Sequence, residues 1–323
     1  MIARSDTLSM TTSQQFDLIA LGSTTLELLS WVDRYPGASD GIHTDKQLWT
    51  GGGMSGNVAH AAARLGGHVA LLAATGSDSI GEKMIEQLKV AGVNVEYIFR
   101  RNHTLSQLTV LMVTSDLKRA GLVITLPADL QIKSDEIPDS LLKSARVFFT
   151  DMDPAATAID VSKRAKDLAV PIAYDLQMAP ERVNIPEHAR NINEMIHVSD
   201  YLFADEENFL MWGNYSDLST AISTILHKFP AIILLITRGS AGSVIATQKQ
   251  TIEINAFPTN IVDSIGAGDA YHATFLYTHI ALGWTLKKAC IYGSAAAALS
   301  CTQAGARDGL PTLEEIDSFV KRS

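Results

Sequence analysis

The chain has 323 residues, 46% of them hydrophobic and 19% charged, with a formal net charge of −9. This is a globular composition, long enough for one large α/β domain or two ordinary ones. The negative charge argues against nucleic acid as a partner, because an acidic protein releases no counterions from phosphates, and no run approaches the ~18 apolar residues that span a bilayer.

Residues 1–15 are polar and lack an apolar h-region, so they read as a disordered tail and not as a signal peptide. A cytoplasmic location is expected from that. From residue 16 onward, short apolar runs alternate with amphipathic helical patterns. The runs at 16–22, 68–75, 146–151, 170–176, 201–204 and 231–237 predict strands buried on both faces. Between them, helices are predicted at 79–92, 156–169, 187–199 and 218–229, and two longer ones at about 267–283 and 285–302. Alternation of this kind predicts a mostly parallel sheet wrapped by helices. Segments 24–50 and about 104–126 break it. The second reads as a hairpin of half-buried strands turning at Asp116–Lys118, and together the two segments predict a small β-layer that covers the main domain as a lid. Cys290 and Cys301 match no metal or redox spacing and are expected as reduced core residues.

Three glycine-rich stretches could carry chemistry. "GGGMSGN" (51–57) spells G-x-G-x-x-G, but the run before it is a poor central strand for a dinucleotide-binding fingerprint. It reads alternatively as a tight turn for close helix packing, or as a ligand-contacting turn in which Gly52 and Gly53 expose backbone N–H groups and Asn57 offers a donor and an acceptor. "GSDSIGEK" (76–83) has its lysine one residue late for a P-loop, so Gly76 and Gly81 read as a turn and a helix start. "VDSIGAGDAYHATF" (262–275) is different. Gly266, Ala267 and Gly268 free consecutive N–H groups at a helix N-terminus, an anion site, and Asp269 follows on the first turn. A carboxylate beside an anion hole repels a phosphate unless its task is to take a proton from an attacking hydroxyl. That pairing is what phosphoryl transfer requires.

These motifs resemble the ribokinase-like sugar kinases of the PfkB family. "DSIGAGD" is similar to the family's D-T-x-G-A-G-D signature, "GGGMSGNVAHAAARLGG" to its N-terminal signature, and "ATGSDSIGEKM" to a third block. The resemblance covers residue 16 to the end and implies a three-layer α/β/α domain with a β-lid. It implies ATP-dependent phosphorylation of a sugar hydroxyl. Asp269 would be the base, Gly266, Ala267 and Gly268 the anion hole, and Gly53 and Asn57 sugar contacts. Thr237, Gly239 and Gly242 of "TRGSAG" would lie beside the nucleotide phosphates and Ser294 beside the adenine. Asp263 and Ile265 fall where many members hold a monovalent cation such as K⁺, and "CTQAGARDGLP" (301–311) resembles the loop that closes around the nucleotide and cation sites.

Two positions depart from the pattern. Glu27 stands where ribokinases carry an aspartate that holds sugar hydroxyls; it keeps the carboxylate and reaches one methylene further. Asp205 and Asn208 of "DEEN" exchange chemistries relative to the family's N-x-x-E motif, with Glu206 and Glu207 adjacent, so Mg²⁺ held through water is implied. The expected partners are a small sugar and ATP, with no nucleic acid and no membrane. An apolar lid face must be covered, which predicts a homodimer through the lid. A nucleoside kinase on the same scaffold and a non-catalytic sugar sensor remain open, although the intact G-A-G-D argues against the sensor. A sulfonated or phosphorylated sugar would need a basic partner, and Arg100, Arg101 and Arg307 are candidates that the sequence leaves unplaced.

Overall fold

A computed structural model describes residues 15–116, 118–177 and 185–322. Residues 1–14 of the predicted tail therefore lie outside the described residues. In chain order the elements begin with β1 (Leu18–Leu21), β2 (Thr25–Trp31), β3 (Gln47–Gly52) and α1 (Met54–Arg64). They continue with β4 (Val69–Gly76), α2 (Ser79–Val90), β5 (Ile98–Arg101), β6 (Leu108–Val113) and β7 (Arg119–Ile124). Next come α3 (Asp139–Lys143), β8 (Phe148–Thr150), α4 (Ala155–Asp167), β9 (Ile172–Asp175), α5 (Pro186–Val198) and β10 (Tyr201–Asp205). After these follow α6 (Glu206–Gly213), α7 (Leu218–Lys228), β11 (Ile233–Thr237), β12 (Ser243–Ala246) and β13 (Thr251–Ile254). The chain closes with α8 (Ala267–Leu276), α9 (Leu286–Ser300) and α10 (Leu313–Arg322).

Nine strands form one sheet in the order β13-β12-β11-β10-β9-β8-β1-β4-β5, and four form a second in the order β3-β2-β6-β7. Every residue of β1, β4, β8 and β9 is buried, as parallel strands covered on both faces must be. Successive residues feed opposite layers. Ile19, Leu21, Phe148, Leu234 and Ile236 pack on one side of the sheet. Leu18, Ala20, Phe149, Phe203 and Leu235 pack on the other, against Val58, Ala270 and Ala295 of α1, α8 and α9. The buried faces of α1 and α9 are mostly Ala, Gly and Ser, which lets both helices approach closely. Local signals set the helix starts. Asp78 accepts a hydrogen bond from the Gly81 N–H at 2.9 Å, and Asp217 from the Thr220 N–H at 2.8 Å. Gly76 and Gly81 are thus a strand end and a helix start, as the displaced lysine suggested.

The predicted lid strands form the smaller sheet, β2 pairing antiparallel with β3 and parallel with β6. The nine-stranded sheet departs from the sequence reading at both edges: β5 was not predicted at one, and β12 and β13 were not predicted at the other. There β12 and β13 form an antiparallel hairpin, two four-residue strands whose short polar connection left no clear periodicity. The two long C-terminal helices are followed by a third, α10, and α8 passes into a π-helical turn at Tyr277–Ala281. No helix among the described residues is long and apolar enough to cross a membrane.

Candidate active site

Chain order reverses between β1 and β8. β1 is followed outward by β4 and β5, and the chain then returns to β8 on the other flank of β1. In an open α/β sheet, such a reversal leaves a crevice beyond the carboxyl ends of the strands. A cavity of about 730 Å³ lies there, lined by Gly22–Thr25 after β1, Asp151–Ala155 after β8, Val123 and Ile124 of the lid, and Gly266 and Asp269.

Of the residues singled out for the sugar, Glu27, Gly53, Asn57 and Asp269 line this cavity. Asn57 donates its Nδ2–H to Asp269 Oδ2 at 2.8 Å, across 212 residues of sequence. Burial pushes the Asp269 carboxyl up to about 6, against the Asn57 hydrogen bond, which lowers it; buried Asp175 adds to the rise. Asp175, Asp269 and His272 bring their polar atoms within 4.8 Å of one another. Glu27 is pushed up to about 7 by burial, opposed by the nearby Arg307 guanidinium, and its Oε2 has no hydrogen-bond partner. Such an atom is ready to accept a ligand hydroxyl. Gly52 does not line the cavity. Its missing side chain makes room for Glu27, whose Oε1 would stand 2.0 Å from a Cβ there.

The glycine run at 51–53 ends a lid strand, not a central one, which removes the dinucleotide reading. Gly53 takes φ 79° just before α1, and a Cβ there would meet the Thr24 backbone at 2.6 Å. Gly266 plays the matching part for α8. Its φ of 75° turns the chain into the helix, so that Ala267, Gly268 and Asp269 occupy the first turn. Helix N-termini present unpaired N–H groups and partial positive charge, which suits an anion.

The residues singled out for the nucleotide stand apart from the cavity, along the same sheet edge. Asp205 and Thr237 are register partners at the ends of β10 and β11, and Thr237 pairs with Ser243. Ser294 on α9 is buried, with its hydroxyl 3.5 Å from Ser243 Oγ. Gly239 and Gly242 both have positive φ in the turn after β11. From β1 to β11 is four strand spacings, about 19 Å, which is room for a sugar at one end and a triphosphate reaching toward it from the other. Asp205 caps α6 through the Asn208 N–H at 2.8 Å, and the Asn208 amide also donates to its carboxylate. Glu206 pairs with Arg238 at 3.1 Å.

Asp263 and Ile265 come together, but differently from the cation-site expectation. Asp263 Oδ1 accepts from the Arg119 guanidinium of the lid and from the Ile265 N–H, and Oδ2 accepts from the Gly305 N–H. Among the unplaced arginines, Arg100 and Arg101 pair with Glu82 and Glu136. Arg307 is buried beneath Asn57, and no signal in the sequence identified that place.

Comparison with known proteins identifies the family. The model of the pfkB family carbohydrate kinases matches residues 15–313. The chain is 30% identical to the probable fructokinase-5 of Arabidopsis thaliana, covering 84% of this chain and 88% of that protein. It is equally 30% identical to a 5-dehydro-2-deoxygluconokinase of Clostridium tetani, covering 84% of each. Its fold is similar to that of Arabidopsis thaliana ribokinase complexed with ribose and ATP, with a TM-score of 0.81, 22% identity, and 95% and 99% of the two chains covered. The chain belongs to the pfkB family of carbohydrate kinases. It is a phosphotransferase, and its reaction is ATP-dependent phosphorylation of a sugar.

Proposed function

We propose that the acceptor is a sugar without an acidic group, bound in the crevice between β1, β8 and the lid, with Asp269 as the general base. The observation that carries this reading is the charge of the cavity wall. Its described lining holds four carboxylates, Glu27, Asp151, Asp153 and Asp269, and no lysine or arginine. Burial already pushes Asp151 up to about 7. A phosphate, sulfonate or carboxylate on the sugar would add like charge in a desolvated site, at a cost of several kcal/mol. Hydroxyl groups instead find an acceptor in Glu27 Oε2 and a donor in the second N–H of the Asn57 amide.

In the reaction, Asn57 and Glu27 hold the sugar so that one hydroxyl meets Asp269. The carboxylate takes its proton as the oxygen attacks the γ-phosphate in line, and the bond to the β–γ bridging oxygen breaks to release ADP. The N–H groups of Gly266, Ala267 and Gly268 receive the charge that develops on the transferred group, and the lid excludes water. Thr237, Gly239 and Gly242 hold the nucleotide phosphates, and Ser294 sits beside the base. The carboxylate of Asp205, a hard oxygen donor at the end of β10, would hold a Mg²⁺ with Asn208 through water, and the ion would neutralise charge on the phosphates. A monovalent ion does not fit Asp263, because the Arg119 guanidinium already supplies a positive charge there, and no step is assigned to K⁺. An ATP-consuming kinase of this kind works in the cytoplasm.

A panel of sugars and nucleosides, assayed by ATP consumption, tests the substrate class. Neutral ketoses and aldoses are expected to exceed their carboxylated or phosphorylated counterparts about 100-fold in kcat/KM. Preference for an acidic sugar overturns the reading. Trp49, Leu105 and Leu122 remain exposed on and beside the lid, which supports pairing of two lids in a homodimer. A monomeric mass by light scattering at micromolar concentration counts against that pairing.

A further inference from the structure

Arg307 lies in the loop between α9 and α10, yet its side chain is 5% exposed and reaches three distant segments. Its Nε–H donates to Asn57 Oδ1 at 2.9 Å. Its Nη2–H donates to the Gly52 carbonyl at 2.7 Å and to Thr24 Oγ1 at 3.4 Å. We propose that Arg307 is a positioning residue for the phosphoryl transfer: it sets the orientation of the Asn57 amide, and through it the Asp269 carboxylate, and ties both to the roots of the lid strands. This proposal rests on the reading of Asp269 as the base.

The argument starts from the symmetry of an amide. The two ends of the Asn57 side chain have nearly the same shape, and either could face Asp269. A flipped amide would set its oxygen against a carboxylate oxygen. Arg307 removes that alternative, because a guanidinium has donors only. With the Asn57 carbonyl held on Nε–H, the NH₂ group must face Asp269. That hydrogen bond engages Oδ2 and leaves Oδ1 for the sugar hydroxyl. The second prong, on the Gly52 carbonyl and Thr24, places the ends of β3 and β2 on the same group.

The glycines that spell G-x-G-x-x-G acquire a reason here. A Cβ at Gly51 would stand 2.2 Å from Arg307 Nη1, and one at Gly56 would stand 2.5 Å from Nη2. Two of the three glycines thus clear the volume that the guanidinium fills. Thr50 donates to Asp308 Oδ2 at 2.6 Å beside it, so the loop and the lid root are joined twice. Lysine could not replace this arrangement, because a single ammonium cannot span the Asn57 and Gly52 oxygens in the same planar fork.

Arg307 also acts by charge. Burial lowers it to about 10, opposed by Glu27, Asp269 and Asp308, so it remains a cation at neutral pH. The charged and titratable groups around Asp269 are Asp175, which raises its carboxyl, and His272 and Arg307, which lower it. Glu27 faces it across the cavity. Loss of Arg307 therefore moves the Asp269 carboxyl upward.

The test uses R307M, R307K, N57A and D269N in the full chain, with steady-state kinetics in both substrates across pH. R307M is expected to lose about 100-fold in kcat/KM for the sugar, with KM for ATP unchanged. The acid limb of its pH profile should move to higher pH. R307K keeps the charge and loses the fork, so its limb stays in place while kcat/KM falls about 10-fold. N57A should absorb most of the R307M loss in the double variant. Wild-type kcat/KM in R307K, or an unmoved limb and full kcat/KM in R307M, overturns the proposal. If R307M does not fold, R307K decides by the same criterion. Turnover retained in D269N would sink the base assignment itself, whereas a silent D269N beside unaffected Arg307 variants sinks the positioning role alone.

Discussion

Asp269→Asn is expected to lower kcat about 1,000-fold, the contribution of a well-placed general base, while ATP binding by calorimetry stays within a few-fold of wild type. The amide keeps the shape of the carboxylate and can still meet Asn57, but it cannot take the hydroxyl proton. The proposed nucleotide residues Asp205, Thr237 and Ser294 lie elsewhere on the sheet edge and on α9, so ATP binding has no reason to change. The pH profile provides a second reading. As the proposed base, Asp269 would work ionised, and burial holds its carboxyl near 6. Wild-type kcat/KM should therefore be full above that value and fall as pH drops through it, and D269N should lose this limb. Because a buried carboxylate with a raised pKa is destabilising when ionised, the thermal midpoint of D269N at neutral pH should hold or rise. Wild-type turnover in D269N would remove Asp269 from the chemistry.

Gly266→Ala is the second large effect. Gly266 has φ 75°, where an L side chain costs about 1–2 kcal/mol, and its Cβ would stand 2.7 Å from the Ala306 carbonyl oxygen. Backbone cannot give way as a flexible side chain can, so the first turn of α8 must shift. That turn carries both the proposed anion hole and Asp269. Misdirected donors are expected to cost about 100-fold in kcat, with KM for the sugar changed only a few-fold. G268A provides the contrast, because the nearest atom to a Cβ there is His272 Cε1 at 3.9 Å. Equal and wild-type-like kcat in both variants would show that the backbone at 266 is not part of the site.

Much of the fold was legible because burial writes a periodic pattern. The continuous apolar runs of β1, β4, β8, β9, β10 and β11 and the weaker alternation of the lid strands are local consequences of which faces see water. The hairpin β12–β13 was not legible, since four-residue strands at a sheet edge carry too little periodicity. The stretch 266–269, proposed here as base and anion hole, stood out in the sequence for another reason. An anion hole at a helix N-terminus is made by one contiguous stretch, so its parts are neighbours in the chain. The stretch 51–57 was legible as important but not as to cause, since Gly51 and Gly56 clear space for a side chain some 250 residues away.

The sequence by itself determined the alternation of layers and the lid strands, because each element's burial pattern is written in its own residues, and it singled out the stretch proposed here as base and anion hole because that stretch is contiguous. Only the tertiary structure decided what surrounds them. It set a lid arginine on Asp263 and buried the carboxyls of Asp151 and Glu27 enough to raise them. It also drew Arg307, Asn57, Asp269 and Gly52 into one hydrogen-bonded chain. Desolvation and hydrogen-bond geometry depend on where distant segments meet, and the order of residues along the chain carries no direct record of that.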